Sequence, residues 1–406
     1  MKTPLSIIAA LCAAAAVADP ADPQISNFNV RQDAMRIVHV TFTLDEPAYI
    51  TMDVLTNHVS IGVDNFSNVA GDVNKLVPAG NRTITWEARK SWPDRRFHEP
   101  ALSVKLTAWA ADNPPDIMDI DLENKTIAYY QSVDFLPQGG LANDKYRTSH
   151  LVMKKVYAAG QTFTMGSPAD ENPNRGDETQ HLVTLTNDYY LAIYETTRRQ
   201  YTLLGCPEPN FGTAGVPYGN DDPNQCPQDR ITYNRLRGTA PDIDWPNTGS
   251  AVGGYLATIR TTTGLALDLP TEAQWEFACR AGTTTAIYNG KPNEGTWGNS
   301  DCNDIAWFTS SSTQNPHAVG GKQPNAWGFY DMYGNIMEWC LDWYATYDTS
   351  VSPAVDPQGP SSGSDRVMRS SFYYDGSKGM RSAWRAGKNP TNANEQFGFR
   401  LCLTLP

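Results

Sequence analysis

Leu269-Pro-Thr-Glu-Ala-Gln-Trp-Glu-Phe-Ala-Cys-Arg-Ala-Gly282 is the stretch on which the reading of this chain turns. Thr271 and Gln274 stand at capping-box spacing: the hydroxyl accepts from the amide three residues on, and the Gln side chain reaches back. Pro270 precedes the cap. Trp275, Ala278 and Cys279 then share one helical face, and Gly282 closes the helix. The same cap recurs at Thr197 to Gln200, with Tyr201 and Leu204 turned inward. Ser250 to Thr263, closed by Gly264, is a third helix candidate. From Leu151 to the end, the chain therefore reads as short helices set among many loops.

Upstream the period changes from helical to alternating. Val38, Val40, Phe42 and Leu44 fall on one face of a strand, and Ile50, Met52 and Val54 repeat the pattern. So do Ile84, Trp86 and Ala88, then Val104, Leu106 and Ala108. Asp45-Glu-Pro47 and Pro78-Ala-Gly-Asn81 punctuate the strands. Such spacing predicts a small β-sandwich over 19–112, immunoglobulin-like in outline. Asn113-Pro-Pro115 marks its end. Residues 113–150, with strand character from Ile127 to Leu136 and a Gly-Gly loop at 139–140, read as a connector. The domain containing the quoted stretch spans 151–406.

Composition bounds the function. The 406 residues hold 32 Lys+Arg against 44 Asp+Glu, a net charge of −12, so there is no basic footprint for nucleic acid. Lys2 followed by the apolar run Leu5 to Val17 and Ala16-Val17-Ala18 reads as an export leader over 1–18. The run is too short for a membrane span. Six cysteines follow the leader: Cys206, Cys226, Cys279, Cys302, Cys340 and Cys402. An even number in an exported chain predicts disulfides. Cys206 and Cys226 flank a Pro/Asn/Gly-rich loop and read as one pair. No Gly-x-Ser-x-Gly elbow or phosphate-cradling glycine loop is present, and none of the six histidines stand at paired spacing.

Several motifs in order carry a resemblance: Phe163-Thr-Met-Gly-Ser167, Tyr194-Glu-Thr-Thr197, the 269–282 stretch, and Asn325-Ala-Trp-Gly-Phe-Tyr-Asp-Met-Tyr-Gly-Asn-Ile-Met-Glu-Trp339. Arg366-Val-Met-Arg369, Arg381-Ser-Ala-Trp-Arg385 and Phe397-Gly-Phe-Arg400 complete the set. Together they resemble the formylglycine-generating enzyme, or sulfatase-modifying factor, family over roughly 151–406. The resemblance implies an α+β fold, an irregular variant of the C-type lectin fold. It also implies a copper(I) oxidase that converts a sulfatase cysteine to formylglycine, holding the metal on two thiolates. Here the corresponding segment is Arg369-Ser-Ser-Phe-Tyr-Tyr-Asp-Gly376. Asp375 falls at the first cysteine position, and no cysteine occurs between Cys340 and Cys402. A carboxylate is a hard ligand and does not replace thiolate for copper(I). The expectation is therefore that no copper is bound and no formylglycine is made. An oxygen- or metal-dependent modifying oxidoreductase with a different site stays open as the alternative.

Other family features carry over residue by residue. The resemblance implies a calcium site on Asp331, the carbonyls of Gly334 and Ile336, and Glu338, all hard oxygen donors. A second family site would draw on Asn303 to Ile305 and on an acid some fourteen positions later, yet no Asp or Glu lies between Asp304 and Asp331. The resemblance pairs Cys279 with Cys402, which leaves Cys302 with Cys340. It places substrate or ligand on the 370–385 surface, here Tyr373, Tyr374, Asp375, Arg381 and Trp384. Aromatics beside Arg and Asp suit a glycan, peptide or protein ligand, although Arg381 and Arg385 also recur in the family as framework. The chain is thus expected to be exported and to bind a partner through its C-terminal loops, with the β-sandwich as spacer or docking module.

Overall fold

The computed structural model describes 5–10 as backbone, together with 22–91, 93, 102–169, 171, 176–207, 221–238, 253–291 and 300–406. The chain divides into two compact units, Met1–Ile120 with Thr126–Tyr146, and Asp121–Lys125 with Arg147–Pro406. The segment read as a connector is thus shared between the two.

In the first unit the alternating stretches are strands: β1 (Ile25–Gln32), β2 (Ile37–Leu44), β3 (Ala48–Thr56), β4 (Val69–Gly71), β5 (Lys75–Val77), β6 (Gly80–Glu87) and β7 (Leu102–Ala110). One sheet runs β1-β2-β6-β4. The other pairs β7 with β3, and β3 with β5. The residues expected to face inward do so. Val38, Val40, Phe42 and Leu44 meet Ile50, Met52 and Val54 in one core with Ile84, Trp86, Val104 and Leu106. Alternation is enough to specify this, because a one-residue slip would turn the whole apolar set to water. Leu5–Ala10, from the expected leader, lies antiparallel along Ser103–Ala108. The rest of the leader, 1–4 and 11–18, is outside the described residues.

The second unit is mixed, mostly sheet. In order come β8 (His150–Val156), β9 (Gln161–Met165), β10 (His181–Leu185), β11 (Tyr189–Ala192), α1 (Arg198–Leu203), α2 (Tyr233–Arg237), α3 (Gly254–Thr263) and α4 (Glu272–Arg280). Then follow β12 (Met337–Trp343), β13 (Ala354–Val355), β14 (Arg366–Arg369), β15 (Arg385–Lys388), β16 (Phe397–Gly398) and β17 (Cys402–Thr404). Strands β8-β11-β17 pair in one sheet, β9-β10-β13 in a second and β15-β14-β12-β16 in a third. No helix among the described residues is long and apolar enough to cross a membrane.

Both capping boxes form as expected, Thr197 with Gln200 on α1 and Thr271 with Gln274 on α4. Two left-handed residues close α4, Ala281 at φ 47 and the expected Gly282 at φ 86. Helix α3 begins at Gly254; the expected start, 250–252, lies outside the described residues. Helix α4 departs from the one-faced picture, since all nine of its residues are buried. Its Glu272, Gln274, Glu276 and Arg280 therefore require partners inside the protein.

Candidate functional site

Those partners are arginines from the C-terminal strands. Arg369 on β14 donates to Glu272 Oε1 and Glu276 Oε2, each at 2.8 Å. Arg385 on β15 grips Glu272 with two 2.7 Å bonds, and Arg280 donates to Glu276 at 2.8 Å. Burial alone would raise the Glu272 carboxyl, but Arg385 and Arg369 outweigh it and hold the group below its ordinary range. Arg381 sits on Glu178 at 2.6 and 2.9 Å and on Glu171 at 2.8 Å, with no exposed side-chain surface. Arg381 and Arg385 are therefore framework. Arg381, expected on the ligand surface, is withdrawn from it by two carboxylates.

The loop after β14 carries the other expected ligand residues. Ser370 stands at φ 62, a left-handed conformation that disfavours side chains, and its Oγ donates to Gly334 O at 3.2 Å. Ser371 Oγ donates to Asp375 Oδ2 at 2.5 Å, while Asp375 Oδ1 accepts from Gly376 N at 2.8 Å. Tyr373 is turned inward at 5% exposure, its amide bonded to Asn335 O and its carbonyl to the Ser312 hydroxyl. Trp384 is also buried. Of the expected surface set only Tyr374, 50% exposed, and half-buried Asp375 face solvent. Backbone contacts with Asn335 and Ser312, invisible in the sequence, fold Tyr373 in.

The expected disulfides do not form. Cys206, Cys226, Cys279, Cys302, Cys340 and Cys402 are all free and buried. Cys402 Sγ lies 3.7 Å from Gln274 Oε1, and Cys279 Sγ 4.0 Å from Met332 O. Burial pushes the Cys206, Cys226, Cys279 and Cys302 thiols up to about 12. A buried free thiol behaves as a small hydrophobe, which an even cysteine count does not distinguish from a bridge.

A cluster of buried acids lies where β12 begins. Asp331, left-handed at φ 54, accepts from Gly320 N at 2.7 Å through Oδ2, while its buried Oδ1 has no partner. Burial raises its carboxyl to about 6, against the Gly320 amide and Arg400. Glu195 accepts from Asn335 Nδ2 at 2.7 Å and Ile336 N at 3.1 Å. Its carboxyl is raised well above the usual range by burial, then by Asp331 and Glu338. Glu338 takes two 2.6 Å bonds from Arg400 and one of 2.8 Å from Trp275 Nε1. Three buried acids thus share one guanidinium. Glu195 was missed as a member, although its motif Tyr194-Glu-Thr-Thr197 was in view; only folding sets it against residues 331–338. Gly334 at φ 76 is obligatory here, since a Cβ would strike the Trp307 carbonyl.

Residues 143–405 match the model of the sulfatase-modifying factor enzyme 1-like domain. The chain belongs to that family. It is 37% identical over 140 residues to the serine/threonine-protein kinase pkn1 of Chlamydia pneumoniae, covering 34% of this chain and 21% of the kinase. To the formylglycine-generating enzyme of Streptomyces coelicolor it is 34% identical over 143 residues, 32% of this chain and 45% of the enzyme. The matches thus span less than half of either relative. Among solved structures, PvdO from Pseudomonas aeruginosa superposes with a TM-score of 0.50 at 23% identity, covering 63% of this chain and 95% of PvdO. That likeness concerns the fold alone.

Within this sulfatase-modifying-factor fold, the region of the family's second calcium site holds a side-chain cation. Lys322 Nζ donates to Asn303 O at 2.5 Å and lies 4.0 Å from the centre of the Trp307 ring. Burial lowers its ammonium, against Asp304 and Asp331. On Trp307 the His317 ring stacks at 3.8 Å, bonded to Asp221 at 2.7 Å and Ser312 O at 2.8 Å. His181 packs instead on Tyr347. His181 and His317 are therefore engaged with different neighbours. Among the described residues no three His, Cys, Asp or Glu side chains gather as a metal cluster.

Proposed function

We propose that this chain is a sulfatase-modifying-factor family protein that binds a protein or glycan partner through its C-terminal loops and does not carry out formylglycine oxidation. The observation that carries the reading is the Ser371–Asp375 hydrogen bond at 2.5 Å, at the position where the resemblance implies a copper thiolate. Hydroxyl and carboxylate are hard donors, unsuited to a soft monovalent metal, and no cysteine lies between Cys340 and Cys402. Exposed Tyr374, with Asp375 beside it, is the contact point for the partner. The test is incubation of the protein with a Cys-x-Pro-x-Arg peptide, copper and oxygen. No aldehyde is expected; stoichiometric aldehyde would overturn the reading.

The reading includes a structural calcium ion. The orphaned Asp331 Oδ1, a hard oxygen beside the buried acids Glu195 and Glu338, fits a divalent cation. Asp331 and the carbonyls of Gly334 and Ile336 would hold it. Glu338 is already held by Arg400 and would contribute charge more than a free oxygen. A bound ion offsets the acid excess and ties the 331–336 turn. Calcium at a hundredfold its Kd is expected to stabilise the unit by about 3 kcal/mol over chelator. An unchanged melting curve would remove calcium from the account. The same reading takes the chain as exported, with an immunoglobulin-like first unit serving as docking module.

A further inference from the structure

A second site lies away from the Ser371–Asp375 loop and independent of the reading above. A cavity of about 440 Å³ is bounded by the N-terminus of α4, the end of β12 and the 345–360 loop. Part of its wall is apolar: Val351 and Val355 are 61% and 60% exposed, Pro357 adjoins them, and the Tyr347 ring packs tilted on His181 at 4.5 Å. That volume falls in the range of small-molecule sites.

The charges at its floor do not balance evenly. Glu272 is held by Arg369, Arg385 and the Tyr347 hydroxyl. Arg385 in turn is spent, on Glu272, Ala345 O and Asp177 O. Neither offers charge to a ligand. Asp342 differs: it is 3% exposed, lines the cavity, and accepts one amide bond, from Glu272 N at 2.7 Å. No ion pair among the described residues involves it. Burial, then the like charge of Glu272, lifts its carboxyl to about 7, and the Glu272 amide and Arg385, itself bonded to Glu272, offset this only in part. Asp348, exposed at the rim, adds a second acid. An anionic ligand would meet these acids and find no uncommitted guanidinium. A metal would lack ligands, since no cluster of three forms here.

We propose that this cavity binds a small primary ammonium compound with an apolar tail, the ammonium on Asp342 and the tail along Val351, Val355 and Tyr347. Charge selects the head and the walls select the tail, a division usual in small-ligand pockets.

The test is calorimetric titration of the full chain in mildly alkaline buffer, using phenethylammonium and, as its uncharged counterpart, 2-phenylethanol. The amine is expected to bind at least about tenfold more tightly, the worth of one charge-assisted hydrogen bond. Asp342→Asn should remove that difference. Val355→Arg, at a side chain that is 60% exposed on β13, should weaken both ligands by filling the mouth with a tethered cation. Equal binding of amine and alcohol, no binding of either, or amine affinity untouched by Val355→Arg would each overturn the proposal. The Val355 arm decides even if the Asp342 variant does not fold.

Discussion

Replacing Asp342 by Asn should stabilise the second unit in alkaline solution and leave it unchanged in acid. The carboxyl titrates near its ordinary 3.8 in the unfolded chain and at about 7 in the folded one, raised by burial and then by Glu272, and lowered only in part by the Glu272 amide and Arg385. The unfolded state therefore releases this proton first. Between the two values the folded state holds more protons, so stability falls as the pH rises, and the full loss is reached above the folded value. The gap is about 3 units at 1.36 kcal/mol each, so the loss is on the order of 4 kcal/mol. Asn keeps an oxygen for the Glu272 amide and carries no charge to strand. The other charged or titratable groups around the cavity, Glu272, Arg385, Tyr347, Asp348 and His181, remain in both proteins. Thermal melts from acid to alkaline pH measure the effect. At roughly 2–4 °C per kcal/mol for a unit of this size, the variant should melt about 10 °C higher in alkali. Coincident curves across the range, or a variant less stable than the parent in alkali, would refute the electrostatic account of Asp342.

Thiol titration with a disulfide reagent should find the six cysteines from Cys206 to Cys402 unreactive in the folded chain and all reactive after unfolding without reductant; fewer would mean that bridges exist. Arg381→Met should cost about 3–5 kcal/mol in a urea titration, because it strands the buried Glu178 carboxylate. Adding Glu178→Gln should recover part of that loss, and no recovery would place the damage in packing instead of charge. Lys322→Met should shift Trp307 fluorescence and destabilise the unit by about 1 kcal/mol through loss of the ammonium from the ring face; an unchanged spectrum would contradict the contact.

Much of the architecture was legible because its signals are local. Alternation over Val38 to Leu44 and over Val104 to Ala108 named the buried faces, since successive strand residues point to opposite sides. The Thr197 and Thr271 boxes named two helix starts, since a cap acts within one turn. The site was read less well where its members are distant in the chain. Arg381 looked like a surface residue until Glu178, some two hundred positions away, was seen to hold it. Tyr373 looked exposed until Asn335 claimed its amide. The six thiols looked like bridges because counting cannot separate a buried thiol from a bonded one.

What belongs to the sequence alone is therefore the order of elements, the family motifs, and the lack of any cysteine between Cys340 and Cys402. Tertiary structure decided which charges meet. It set Glu195 against Asp331 and Glu338 and committed Arg400 to Glu338. It also left Asp342 lining a cavity whose one guanidinium, Arg385, is bonded to Glu272. Periodicity and caps act over a few residues, whereas the energy of a buried charge depends on whichever distant group the fold brings within reach.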